Sequence, residues 1–211
     1  MADIAAPVAR SPIAPPEPTA VLDGWLVTTQ RAVGALRICD ATPLSKVLVR
    51  AAEDGAVASA LGVELGRSER DEHGTLVVGS GPGEWLLLAA PGSAAEAAAR
   101  APRPGGEFVT VTDFTHSRAL VRLTGAESPV VLAKLCAIDF ADAVTPNSSA
   151  LRTSVAKLVT DVIRDDLGEE RASRSYLLHC ERSSGQYLFD ALVDAGVHHD
   201  IEIDGFTAST V

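Results

Sequence analysis

The feature that most constrains this chain is that it spells out one order of elements twice. Lys46-Val47-Leu48-Val49-Arg50 is a β-branched run followed by the small-residue stretch Ala58-Ser59-Ala60-Leu61-Gly62. Its counterpart, Arg118-Ala119-Leu120-Val121-Arg122-Leu123, leads into Thr124-Gly125-Ala126-Glu127, where Thr124 and Glu127 have the spacing of a capping box ahead of Pro129 and the helical run Val130–Leu135. Similar leads precede the two runs: Cys39-Asp40-Ala41-Thr42 and Thr112-Asp113-Phe114-Thr115. In the first copy Thr75–Gly79 and Glu84–Leu88 read as strands about the turn Gly79-Ser80-Gly81-Pro82-Gly83, and Ser93 caps the Ala-rich helix Ala94–Arg100. In the second, Val155–Ile163 and Tyr176–Cys180 read as strands about the polar loop Arg164–Arg174, and Tyr187–Val193 as an apolar-faced helix ending near Gly196.

Strand–helix–strand–strand–helix, twice, predicts an α+β fold. Its expected form is two ferredoxin-like (split βαβ) lobes from an internal duplication, each an antiparallel sheet with helices on one face. The expected divisions are a Pro-rich arm at 1–20, a first lobe at 21–105, a second at 106–197 and a C-terminal tail at 198–211. Five of the twelve prolines fall within residues 1–20, which removes backbone donors there and predicts an extended arm.

Composition narrows function. A net charge of -10 with only 18 basic residues argues against a nucleic-acid partner. A mean hydropathy of +0.17 points to surface that a partner covers. Cys39, Cys136 and Cys180 form no CxxC pair and read as buried thiols in a cytoplasmic protein. No stretch has the length of a membrane span.

The chemistry-bearing residues are few. Asp113 and His116 have the spacing of an acid–base pair, against the plainer reading of a turn Asp and a His in the lobe interface. His198-His199-Asp200 and the group Asp161, Asp165, Asp166, Glu169 and Glu170 lack fixed metal-ligand spacing. The GxGxG run at Gly79–Gly83 enters a strand rather than a helix, so it reads as a hairpin and not a dinucleotide loop. Arg50 and Arg122 take matching repeat positions and are expected to pair with acidic groups of the lobe or of a partner. Trp85 is expected to be half buried at a strand start. No catalytic, cofactor-binding or metal residue is assigned.

Gly81-Pro82-Gly83-Glu84-Trp85-Leu86-Leu87-Leu88-Ala89, with Lys134-Leu135-Cys136-Ala137-Ile138-Asp139 and Asp113-Phe114-Thr115-His116-Ser117-Arg118, resembles the gamma subunit of heterotetrameric sarcosine oxidase. The likeness runs over roughly residues 35–196. It implies a non-catalytic assembly subunit in a complex that oxidises an N-methyl amino acid. FAD, FMN, NAD and tetrahydrofolate would then be held by the partners: large alpha and beta subunits and a small zinc-binding delta subunit. The family looks related to glycine-cleavage aminomethyltransferase and to folate-binding cluster-maturation proteins. The aminomethyltransferase pattern has an acidic residue after its Val-Ile pair, where this chain has Arg164 after Val162-Ile163, and Lys134-x-Cys136 does not continue into Gly-Gln-Glu. Both departures weigh against one alternative, a free-standing folate-dependent one-carbon transferase; for the other, a duplicated small-molecule-binding module, no ligand residues stand out.

Overall fold

The computed structural model describes residues 7–168 and 173–207. In chain order its elements are β1 Ala9–Arg10, β2 Thr19–Leu22, β3 Trp25–Thr28, β4 Arg37–Asp40, β5 Ser45–Arg50, α1 Ala56–Leu61, β6 Ser68–Arg70, β7 Leu76–Gly81 and β8 Glu84–Ala89. There follow α2 Ala94–Arg100, β9 Thr110–Asp113, β10 Arg118–Thr124, α3 Ser128–Ala133, β11 Ala150–Val155, β12 Leu158–Arg164, β13 Ser175–Glu181, α4 Gly185–Gly196 and β14 Glu202–Asp204. They build a small sheet β1-β3-β2, a first large sheet β6-β7-β8-β5-β9 and a second large sheet β11-β12-β13-β10-β4-β14.

Period-two alternation sorts the side chains of each large sheet to two faces. In the first sheet Val47, Val49, Val77 and Leu87 pack with Val57, Ala94 and Ala97 of the helices. Their alternates Leu76, Val78, Leu86 and Leu88 meet Leu120, Ile163 and Leu177 of the second sheet. The other face of that second sheet, Ala119, Val121, Leu123 and Leu178, packs on Val131, Leu132, Leu188 and Leu192 of α3 and α4. The α+β expectation is therefore met as four layers: helices, sheet, sheet, helices. Each sheet has helices on its outer face and shares a buried apolar layer on its inner one.

The two large sheets exchange strands. β4 runs into β5 yet pairs with β10 in the other sheet, and β9 runs into β10 yet pairs with β5. Matching corners fix both crossings. Asp40 Oδ1 accepts the Thr42 N–H at 3.0 Å, and Asp113 Oδ1 accepts the Thr115 N–H at 2.8 Å. Thr42 Oγ1 then accepts the Leu120 N–H of β10 at 3.2 Å, and Thr115 Oγ1 the Lys46 N–H of β5 at 3.1 Å. These contacts align Lys46 with Leu120, so Arg122 matches Leu48 rather than Arg50. The repeat register shifts by two residues, which keeps every side chain on its face. Lys46 is fully buried and ties the corners together, its Nζ donating to the carbonyls of Thr42 (2.7 Å), Leu44 (2.8 Å) and Thr115 (3.4 Å).

Several local expectations change. Among residues 7–20 the chain is not a free arm: β1 and β2 flank β3, Ile13 is 1% exposed in the helix-side core, and the Ala14 N–H donates to Gln186 Oε1 at 2.7 Å. Gly185 lets this segment in, since a Cβ there would lie 2.8 Å from Pro12 Cγ. Residues 1–6 and 208–211 lie outside the described set. The expected tail contributes β14, which pairs with β4, and Phe206, which is buried between the sheets. The expected strand Val155–Ile163 is interrupted: Val155 ends β11, and the turn Ala156-Lys157, with both residues at positive φ, leads into its hairpin partner β12. No capping box forms: Thr124 ends β10 with its hydroxyl 3.2 Å from Ser175 Oγ, and Glu127 is the N-cap but its side chain makes no capping hydrogen bond. Ser93 is the N-cap of α2, but its hydroxyl donates to the Ala90 carbonyl rather than capping the helix. Trp85 is buried, not half buried, with Nε1 donating to the Val63 carbonyl at 2.9 Å. The glycine run is the expected hairpin. A Cβ on Gly79 would lie 2.2 Å from the Glu64 carbonyl oxygen, so that glycine serves a close backbone approach.

Candidate functional site

Where the inner apolar layer stops, the two sheets leave a polar cleft of about 220 Å³. Leu48 and Arg50 of β5, Ser80 of β7, and Glu84 and Leu86 of β8 form one wall. Arg118 of β10, Arg152 of β11, Val159 and Asp161 of β12, and His179 and Glu181 of β13 form the other, with Phe114 between. Alternation puts them there: Asp161 has the parity of Ile163, and His179 that of Leu177, both in the inner layer.

The cleft's charges answer one another. Arg50 and Glu84 are cross-strand partners with an ion pair of 2.6 Å, and Arg118 and Glu181 are cross-strand partners that also form an ion pair. Arg152 donates through Nε to Asp161 at 2.7 Å and through Nη1 to Glu84 at 3.3 Å. His179 Nδ1 lies 3.3 Å from Asp161 Oδ2, while its buried Nε2 has no hydrogen-bond partner. Burial pushes the His179 pKa down against the pull of Asp161. Burial alone would raise Asp161, but its hydrogen bonds to His179 and Arg152 outweigh that and hold the carboxyl below its usual range. Three guanidinium groups thus face three carboxylates beside a His that favours its neutral form.

An imidazole held by a carboxylate is the base half of a nucleophilic site, but the cleft supplies no activated nucleophile. Ser80 donates weakly to the Glu84 carbonyl (3.4 Å), and the three cysteines are buried elsewhere. Burial pushes the Cys39 thiol far up and that of Cys180 up to about 11, so neither is a thiolate near neutral pH.

The candidates from sequence are scattered. Asp113 is occupied by the Thr115 N–H, and His116 is exposed rather than buried, stacked on Trp25 at 4.9 Å. His199 meets Glu127 at 3.4 Å. Of the acidic group, Asp161 lines the cleft, Asp165 bridges Arg122 (2.6 Å) and Arg70 (2.8 Å), and Asp166 pairs with Arg164 at 2.9 Å. Glu169 and Glu170 lie outside the described residues. Among the described residues no group of three His, Cys, Asp or Glu side chains is placed to hold a metal ion. Arg164 is nearly buried, donating also to the Thr145 carbonyl at 2.6 Å, so the residue that breaks the aminomethyltransferase pattern is a structural anchor. Arg50 and Arg122 both pair within the chain. Sequence reasoning passed over His179 and Lys46. Each is a lone polar residue in an apolar run, at the inward parity of its strand, and that parity was the available signal.

No family model matches the chain. It is 32% identical over 135 residues, 59% of its length, to a curated sarcosine oxidase subunit gamma from Arthrobacter sp, and the match spans 65% of that relative, just under two thirds. A chain of the heterotetrameric sarcosine oxidase from Corynebacterium sp. U-96 in complex with pyrrole 2-carboxylate superposes with a TM-score of 0.65 at 24% identity, over 80% of this chain and 88% of that one. The glycine cleavage system aminomethyltransferase T from Bartonella henselae shares the fold, with a TM-score of 0.67 at 15% identity over 90% of this chain and 56% of that one. The chain is thus similar in sequence to the sarcosine oxidase gamma subunit, and its fold is that of a heterotetrameric sarcosine oxidase chain and of aminomethyltransferase T.

Proposed function

We propose that this chain is a non-catalytic assembly subunit of a heteromeric, flavin-dependent oxidase of sarcosine-type N-methyl amino acids. The observation that carries this reading is the 32% identity to a sarcosine oxidase gamma subunit. The inter-sheet cleft supports it, because its charged groups are spent on one another and it has no activated nucleophile. FAD, FMN, NAD and tetrahydrofolate belong, on this reading, to large alpha and beta partners, with a small zinc-binding delta chain completing the assembly. The catabolism of sarcosine in the cytoplasm is the setting that fits. No described helix is long and apolar enough to cross a membrane.

The corresponding strand orders β7-β8-β5-β9 and β12-β13-β10-β4 support reading the lobes as copies of one ferredoxin-like unit, divided near residue 105 and intertwined by exchange of their lead strands.

The isolated chain should purify without visible flavin absorbance and release no peroxide when sarcosine is added. Stoichiometric bound flavin, or turnover by the chain alone, would overturn the assignment of chemistry to the partners.

A further inference from the structure

The two large sheets match strand for strand except at one place. In the second sheet β4 is flanked by β14, which runs parallel to it and places Ile203 beside Ile38. In the first sheet the counterpart of β4 is β9, by the equivalence of Asp40 with Asp113, and β9 is the last strand. No described strand takes the place of β14 there.

The open edge is formed for pairing. The Phe114 N–H donates to the Lys46 carbonyl at 2.7 Å, so by antiparallel alternation Thr110 and Thr112 turn their backbone groups toward β5. Val111 and Asp113 turn theirs outward. The matching residues of β4, Ile38 and Asp40, share the parity of Leu36, whose carbonyl accepts the Glu202 N–H at 3.0 Å as β14 begins. β9 contains no Lys, Pro or register shift, the usual devices that blunt an edge. Phe108, just ahead of it, is 85% exposed.

Charge says what fits. Beside β4, Arg37 meets Asp204 of β14 at 3.6 Å. The β9 edge carries the opposite sign: Asp113 is exposed at its end, whereas Glu107 before it is turned onto α1, with Oε2 accepting the Val57 N–H at 3.1 Å. We propose that the β9 edge docks an extended segment of a partner polypeptide, added parallel to β9, with an apolar residue beside Val111 and a Lys or Arg residue toward Asp113. This rests on the assembly reading above.

The test compares the full chain alone with the same chain co-expressed with its native partners, using deuterium exchange resolved to single amides. In the complex the Val111 and Asp113 amides should exchange roughly tenfold or more slowly than in the isolated chain, while Thr110 and Thr112 change little. Val111→Pro removes an outward N–H at an edge position where proline is tolerated. It should weaken retention of partners, as should Phe108→Ser, which changes an exposed side chain and leaves the fold intact. Val33→Ser, at a residue 94% exposed elsewhere, should not. Partners that co-purify while the Val111 and Asp113 amides stay unprotected would overturn the docking site alone. A chain that captures no partner overturns the docking site and the assembly reading together. A dimer of the isolated chain with those amides protected would assign the edge to a second copy and overturn the partner segment.

Discussion

Arg122→Ala should lower the free energy of unfolding by about 3–5 kcal/mol, the scale for stranding a buried charge. Arg122 is 3% exposed and donates to Asp165 Oδ2 at 2.6 Å, to the Asp165 carbonyl at 3.2 Å and to Ser175 Oγ at 2.7 Å. Burial works against its charge, and Asp165 offsets that cost. Without the guanidinium, the buried Asp165 carboxylate keeps only the half-exposed Arg70 as a cation, and the Ser175 hydroxyl loses its strongest partner. The double variant Arg122→Met, Asp165→Leu should be milder than Arg122→Ala, because replacing a whole buried pair by apolar groups leaves no stranded charge. Urea unfolding of the two variants against the parent checks the order. A single variant that loses less than about 1 kcal/mol would mean water reaches the pair.

Lys46→Met should cost about 2–4 kcal/mol near neutral pH, because the carbonyls of Thr42, Leu44 and Thr115 lose their common donor in a dry corner. The cost should also depend on pH with a definite sign. Burial lowers the Lys46 pKa from 10.5 to about 7, against the attraction of Asp40 and Asp113, with Arg182 adding to the fall. Between those two values the unfolded chain holds a proton that the folded chain has released, so unfolding takes up a proton and becomes harder as pH rises. The stability gap between parent and variant should therefore be flat below about pH 7. It should widen above it by at most about 1.4 kcal/mol per unit until the unfolded lysine titrates. Unfolding free energies of both proteins across that range measure the gap. One that narrows with rising pH would show that the folded state holds the Lys46 proton more tightly than the unfolded chain does.

What was legible in the sequence was local. The Gly79–Gly83 turn, the helix Ala94–Arg100 and the helical run around Leu188 and Leu192 follow from short-range pattern, and they stand where the pattern put them. The turn Ala156-Lys157 was hidden because neither residue is the Gly or Asn that left-handed backbone favours, so the hairpin read as one strand. The leads at Asp40 and Asp113 were visible as repeats, but not their exchange between sheets. A lead strand has the same local sequence whichever sheet it joins, and only the long-range bonds of Thr42 and Thr115 decide. Residues 7–20 were misread for a related reason. Proline content reports missing donors, whereas the docking of this segment turns on one buried side chain, Ile13, and on the absence of a side chain at Gly185. The cleft was legible only in fragments. Arg50, Glu84 and Asp161 stood out as charged residues, but His179 acquires its meaning from Asp161 across a strand pair, which no spacing along the chain announces.

The role proposed for this chain is to complete a flavoenzyme assembly without doing its chemistry. It is tested most directly by the native mass and flavin content of what co-purifies with a tagged copy at native expression. We predict one complex containing flavin-bearing and folate-binding large chains, in which all of the flavin stays with the partners when this chain is stripped away. A tagged chain that elutes alone as a monomer, or that keeps the flavin after its partners are removed, would contradict the account.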